Sequence, residues 1–163
     1  MTNKILLSDE GRSFIPIYMK PYNDITLSQV RFKVDTGADL TTISKQELVY
    51  LGYSYEWIEK NTIESQSHTL ARAGGNPHPA CYVQIDIANV LGCELLNWPF
   101  YIRKEPNLDF PNLLGINILA HFDFSFNYSS WMFEIAYSKN PKNSLPMLSD
   151  QSIHEINKGN SEI

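Results

Sequence analysis

A period-two strand that runs straight into an Asp-Thr-Gly turn constrains this chain more than any other feature of its sequence. From Leu27 to Val34 the apolar members are Leu27, Val30, Phe32 and Val34, with Gln29, Arg31 and Lys33 between most of them. Such spacing describes a half-buried strand. Its last residue hands the chain to Asp35-Thr36-Gly37-Ala38-Asp39, and Leu40-Thr41-Thr42-Ile43 follows. Asp, Thr and Gly each favour turns, so an ordinary turn is the plain alternative. The apolar strand before the motif, Ala38 and Asp39 after it, and the hydroxyl-rich run to Ser44 argue for something more specific. A carboxylate at a strand end, beside a hydroxyl and a glycine that permits close backbone approach, suits two such loops facing each other. Two carboxyl groups held that close cannot both ionise, so one serves as base while the other stays protonated as acid. Water activated by the first can attack a carbonyl that the second protonates. Only one Asp-Thr/Ser-Gly occurs in the 163 residues, so a second aspartate has to come from another chain, and two-fold pairing is the commonest way to supply it.

The rest of the chain is dominated by β patterns. Ser13 to Met19 places Phe14, Ile15 and Ile17 in a short strand, which Pro16 marks as an edge. Ser44-Lys45-Gln46-Glu47 is a capping box opening a short helix, with Leu48 and Leu51 on one face and Gly52 at its end. Arg72 to Pro79 is rich in glycine and proline and reads as an exposed turn, followed by strands at Cys81 to Ile87 and Asn97 to Ile102. Leu113-Leu114-Gly115 leads into an apolar segment, Ile116 to Phe122, of one or two helical turns. Asp123 to Ile135 predicts a hairpin with its turn at residues 127–130. The expected division is a domain over residues 1–137 and a polar, loosely held tail over residues 138–163.

Composition narrows the function classes. Eighteen acidic residues against thirteen basic ones, with no basic cluster, argue against a nucleic-acid partner. No apolar run approaches the roughly 20 residues of a membrane-spanning helix, and the first ten residues lack a signal-peptide core. The expectation is a cytoplasmic protein with no membrane partner. Four scattered histidines and two cysteines, Cys81 and Cys93, provide no metal-ligand spacing, so neither metal nor cofactor is expected and the cysteines read as buried thiols.

The sequence resembles the retropepsin-like aspartic proteases, the retroviral enzymes and their cellular and bacterial relatives. Val34 to Asp39 is similar to the family's catalytic loop, and Gly74-Gly75 falls where the family has a flap. Leu113 to Leu119 resembles the apolar-apolar-glycine segment that crosses behind that loop, and Phe124-Ser125-Phe126 stands where the family returns to a strand. The resemblance runs from Phe14 to Ile135. It implies a mainly β, closed barrel of the acid-protease type with one or two short helices, active as a homodimer on polypeptide substrates. It further implies Asp35, Thr36 and Gly37 as catalytic, and Ala38, Asp39, Ala73, Gly74 and Gly75 as substrate-binding. The implied activity is that of an aspartic-type endopeptidase; the alternative is an inactive peptide-binding or dimerisation module of the same fold. Two departures bear on the site. Lys33 takes a position usually apolar, and Ile116 stands where retroviral members carry an arginine that partners the residue matching Asp39. Arg12 is the candidate replacement for that arginine.

Overall fold

A computed structural model of the chain describes residues 2–70 and 78–138. Nine strands and three short helices follow in the order β1 (Thr2–Leu6), β2 (Phe14–Met19), β3 (Ser28–Val34), α1 (Lys45–Tyr50), α2 (Tyr55–Asn61), β4 (Ile63–Leu70), β5 (His78–Val90), β6 (Cys93–Ile102), β7 (Leu113–Leu114), α3 (Ile116–Leu119), β8 (Phe122–Asn127) and β9 (Met132–Tyr137). They form a three-stranded sheet ordered β1-β9-β8 and a six-stranded sheet ordered β4-β5-β2-β3-β7, with β6 paired to β5. The expected tail, from residue 139 onward, lies outside the described residues.

The closed barrel expected from the sequence is not what the chain forms. Closure needs staggered ladders all the way round. Among the described residues neither sheet has them: between β7 and β6 only Thr42 intervenes, through one isolated bridge to Leu113 and one to Tyr101. The separate β1-β9-β8 sheet takes the terminal hairpin out of the larger one. The described residues include three helices, not one or two.

The core is built where the alternation of β2, β3 and β5 converges. Ile15, Ile17, Met19, Val30, Phe32, Val83 and Ile85 are all buried, and Phe32 meets Phe100 with ring centroids 6.0 Å apart. Pro16 does not place β2 at an edge. β3 lies along the whole strand, whereas the β5 ladder begins only at Ile17, so the residue without an N–H sits just beyond it. The turn from β5 to β6 is two residues, Leu91 (φ 51°) and Gly92 (φ 88°), the pairing of two positive values that matches the twist of a hairpin.

Helix α1 begins as the sequence predicts, with the Glu47 N–H donating to Ser44 Oγ at 2.9 Å. The reciprocal half of the box is replaced: the Ser44 N–H donates to Asn112 Oδ1, and Asn112 Nδ2 donates to Glu47 Oε2. Gly52 (φ 88°) ends the helix, with Gly52 N–H donating to the Val49 carbonyl and Tyr53 N–H to that of Leu48, a Schellman arrangement. Cys81 and Cys93 are buried thiols, and burial raises the pKa of both, that of Cys93 to about 11.

Candidate functional site

Strand β3 delivers the chain to Asp35 between two neighbours. Antiparallel β2 pairs Phe14 with Lys33, and parallel β7 pairs Leu113 with Lys33 and Leu114 with Val34. The Asp35 N–H then donates to the Leu114 carbonyl at 3.1 Å, which anchors the aspartate backbone to β7. Two further bonds fold the chain back on itself. The Gly37 N–H donates to Asp35 Oδ1 at 3.0 Å, and the Ala38 N–H to the Asp35 carbonyl at 3.2 Å. Asp35 and Ala38 are half-buried, while Thr36, Gly37 and Asp39 are exposed. A carboxyl group is thus presented at the surface with one oxygen already oriented by a backbone donor. A Cβ added at Gly37 would lie 3.3 Å from that oxygen, so the small residue leaves the carboxylate its position.

Residues 113–117 support the loop from behind. The Ile116 N–H donates to the Ala38 carbonyl at 2.8 Å and the Asn117 N–H to that of Asp39 at 3.0 Å. Thr41, fully buried, donates to Asn117 Oδ1 from both its N–H and its hydroxyl, each at 2.8 Å. The same hydroxyl accepts from the Gly115 N–H at 3.0 Å. One hydroxyl therefore both donates and accepts in joining the loop to the segment behind it. Thr41→Val keeps the shape, removes the hydroxyl and strands a buried N–H. Its expected effect is a loss of about 1–3 kcal/mol of stability, seen as a lower urea midpoint. An unchanged midpoint would show that the network contributes nothing.

Beside the loop, Leu40, Ala80 and Tyr101 form a small buried cluster with Tyr82 against it. Tyr101 contacts His68 of β4, with its hydroxyl 3.3 Å from Nδ1, and burial raises its pKa. Ala80 of β5 and, through Tyr101, His68 of β4 therefore bring the end of the β4–β5 pair that adjoins its connection to the side of the loop at Leu40. Ala73, Gly74 and Gly75 lie outside the described residues. Sequence reasoning did not single out Thr41, Asn117 or Tyr101. The hydroxyl-rich run after Asp39 contains the first and the segment Leu113 to Leu119 contains the second, while nothing in the local pattern marks Tyr101.

Arg12 does not reach Asp39 as expected. Its Nη1 lies 2.9 Å from Glu10 Oε2, both side chains being more than half exposed. Lys33 is half-buried without disturbing the β3 ladders, which accommodate it opposite Phe14 and Leu113. Surface clefts among the described residues include one beside α2 and β6 and one at Tyr22, Tyr53 and Trp57. Neither includes a residue of the loop at 35–39.

No protein-family model and no curated protein sequence matches the chain. Among solved structures its fold is similar to that of a retropepsin-like aspartic protease from Rickettsia conorii, with a TM-score of 0.57 and 22% identity. That likeness covers 84% of this chain and 91% of the other. The finding is a likeness of fold.

Proposed function

We propose that the chain is an aspartic-type endopeptidase, active as a homodimer in which Asp35 of each copy contributes to one catalytic pair. The observation that carries this reading is the placement of Asp35. Its carboxyl group is held at the end of β3 by the Gly37 N–H, on a loop anchored to Leu114 and backed by Gly115, Ile116 and Asn117. The distant fold similarity to an aspartic protease is consistent with it.

In this reading two loops meet across a two-fold axis and the paired carboxyl groups share one proton. The ionised aspartate takes a proton from water, whose oxygen bonds to the peptide carbonyl carbon. The protonated aspartate gives its proton to the carbonyl oxygen. Breakdown returns the double bond, breaks the C–N bond and delivers a proton to the departing nitrogen. Substrate is a polypeptide bound in extended form through its backbone, with Ala38, Asp39 and the segment at Ala73, Gly74 and Gly75 as the contacts, and side-chain pockets setting preference. Neither a metal nor a cofactor takes part, and the setting is cytoplasmic.

Dilution tests the shared site. Digestion of a peptide library should proceed with a rate that falls roughly 100-fold for each tenfold dilution once the protein is below its dimer dissociation constant, because only the dimer is competent. A rate per protomer that stays constant in a sample that sediments as a monomer would overturn the homodimeric site. A folded dimer that cleaves no peptide at acidic or neutral pH would leave the peptide-binding module as the reading.

A further inference from the structure

The cleft beside α2 and β6 has a volume of about 280 Å³ and is formed in part by Lys45, Tyr55, Thr62, Cys81 and Arg103. Its charges are arranged in an unusual way. Two of its three basic residues, Lys45 and Arg103, are each only 9% exposed. Lys45 Nζ donates to the Glu105 carbonyl, at 2.6 Å. Arg103 packs its guanidinium over the Phe110 ring, 4.4 Å from the centroid, yet its Nε is buried with no hydrogen-bond partner among the described residues. No described carboxylate lies within ion-pair distance of it either. The acidic lining residues, Glu59 and Glu64, are exposed, and Glu64 faces Lys104 at 3.4 Å.

An arginine cannot escape burial by losing its proton, so a buried guanidinium ordinarily has a carboxylate beside it. Stacking on Phe110 offsets part of the desolvation and leaves the edge of the guanidinium, where Nε–H lies, unanswered. The Glu105 carboxyl is held below its usual range first by its own backbone N–H, and then by Arg103, His78 and Lys45.

We propose that this cleft is an oxyanion site, taking a small ligand whose carboxylate or phosphate group pairs with the Arg103 guanidinium beside Lys45. Planar donors in a fixed fork match either group. The volume lies just below the usual range of small-molecule sites, which suits a compact anion and not an extended polypeptide. The site shares no residue with the loop at 35–39, so it stands or falls independently of peptide cleavage.

The test is a titration of the isotopically labelled full chain, following the Arg103 Nε–H resonance. Sodium phosphate is added in one arm and sodium acetate in the other, with ionic strength held constant by sodium chloride. A shift that saturates with either anion is expected, and the arm that saturates identifies the ligand class. The same anion should raise the unfolding midpoint, since ligand at 100 times its dissociation constant raises the folded-to-unfolded ratio about 100-fold. Arg103→Gln should abolish this stabilisation, and Arg103→Lys should weaken binding by at least about tenfold because the fork is lost. Asp35→Asn should bind as the parent chain does. A strictly linear shift in both arms, or equal stabilisation of Arg103→Gln, would overturn the proposal. Should Arg103→Gln fail to fold, the parent titration decides by itself.

Discussion

Asp35→Asn is expected to lower peptide cleavage by at least about 1,000-fold while leaving the fold and the dimer unchanged, the scale of loss that follows when a general acid–base group is removed. The substitution is selective for a structural reason. Oδ1 of Asp35 accepts from the Gly37 N–H, and an asparagine carbonyl oxygen accepts the same bond, so the turn keeps its geometry. What disappears is the ability to take and return a proton, which the amide lacks at any working pH. Circular dichroism and sedimentation should coincide with the parent protein, and mass spectrometry of a digested peptide library should show intact peptides. A variant that cleaves at the parent rate would refute Asp35 as the catalytic carboxylate.

Gly115→Ala should have the largest effect on stability of any single methyl group near the site. A Cβ at Gly115 would stand 2.5 Å from both the carbonyl carbon and oxygen of Leu40 and 2.9 Å from the Ala38 oxygen. All three are backbone atoms, so no side-chain rotation relieves the overlap, and the loop has to move away from the segment behind it. Overpacking of this kind commonly costs 1–3 kcal/mol, and a backbone-to-backbone clash belongs at the upper end, about 3 kcal/mol or more. For a domain with a typical margin of roughly 5–15 kcal/mol, that shift is readily measured from urea midpoints. Whatever fraction stays folded should also cleave poorly, because the displaced residues 38–40 carry Asp35 with them. Gly92 differs in kind, since an added Cβ there would meet no atom within 4 Å and its cost would come only from the positive φ of 88°. A Gly115→Ala protein with parent stability and activity would mean that the two segments do not cross as closely as described.

Much of the site was legible in sequence because its signals are local. Alternation through Val30, Phe32 and Val34 located β3, and the Asp-Thr-Gly turn located the carboxylate. Ser44 and Gly52 located both ends of α1, and the apolar spacing after Phe122 located the β8–β9 hairpin. What was not legible depends on partners distant along the chain. Whether a set of strands closes depends on ladders at the last seam, and there Thr42 contributes single bridges instead of a strand. Pro16 could be assigned to an edge only by a rule that knows nothing of where β5 stops. Strand β1 has little intrinsic preference and exists because β9 pairs with it. Leu91 adopts a positive φ that its side chain disfavours, imposed by the two strands it joins. Asn112 entered the α1 cap, and Asn117 the loop support, from more than sixty residues away.

The bonds that steady the aspartate loop have a consequence for the order in which the molecule can be made. Thr41 meets Gly115 and Asn117 across sequence separations of 74 and 76 residues. Contacts of such high order form late, since a long stretch of chain must be closed before they return any stability. While a ribosome is still making the middle of the protein, the aspartate has been synthesised but residues 113–117, which brace its loop from behind, have not. Any hydrolytic power of the finished fold would therefore be withheld from the nascent chain without a propeptide or inhibitor.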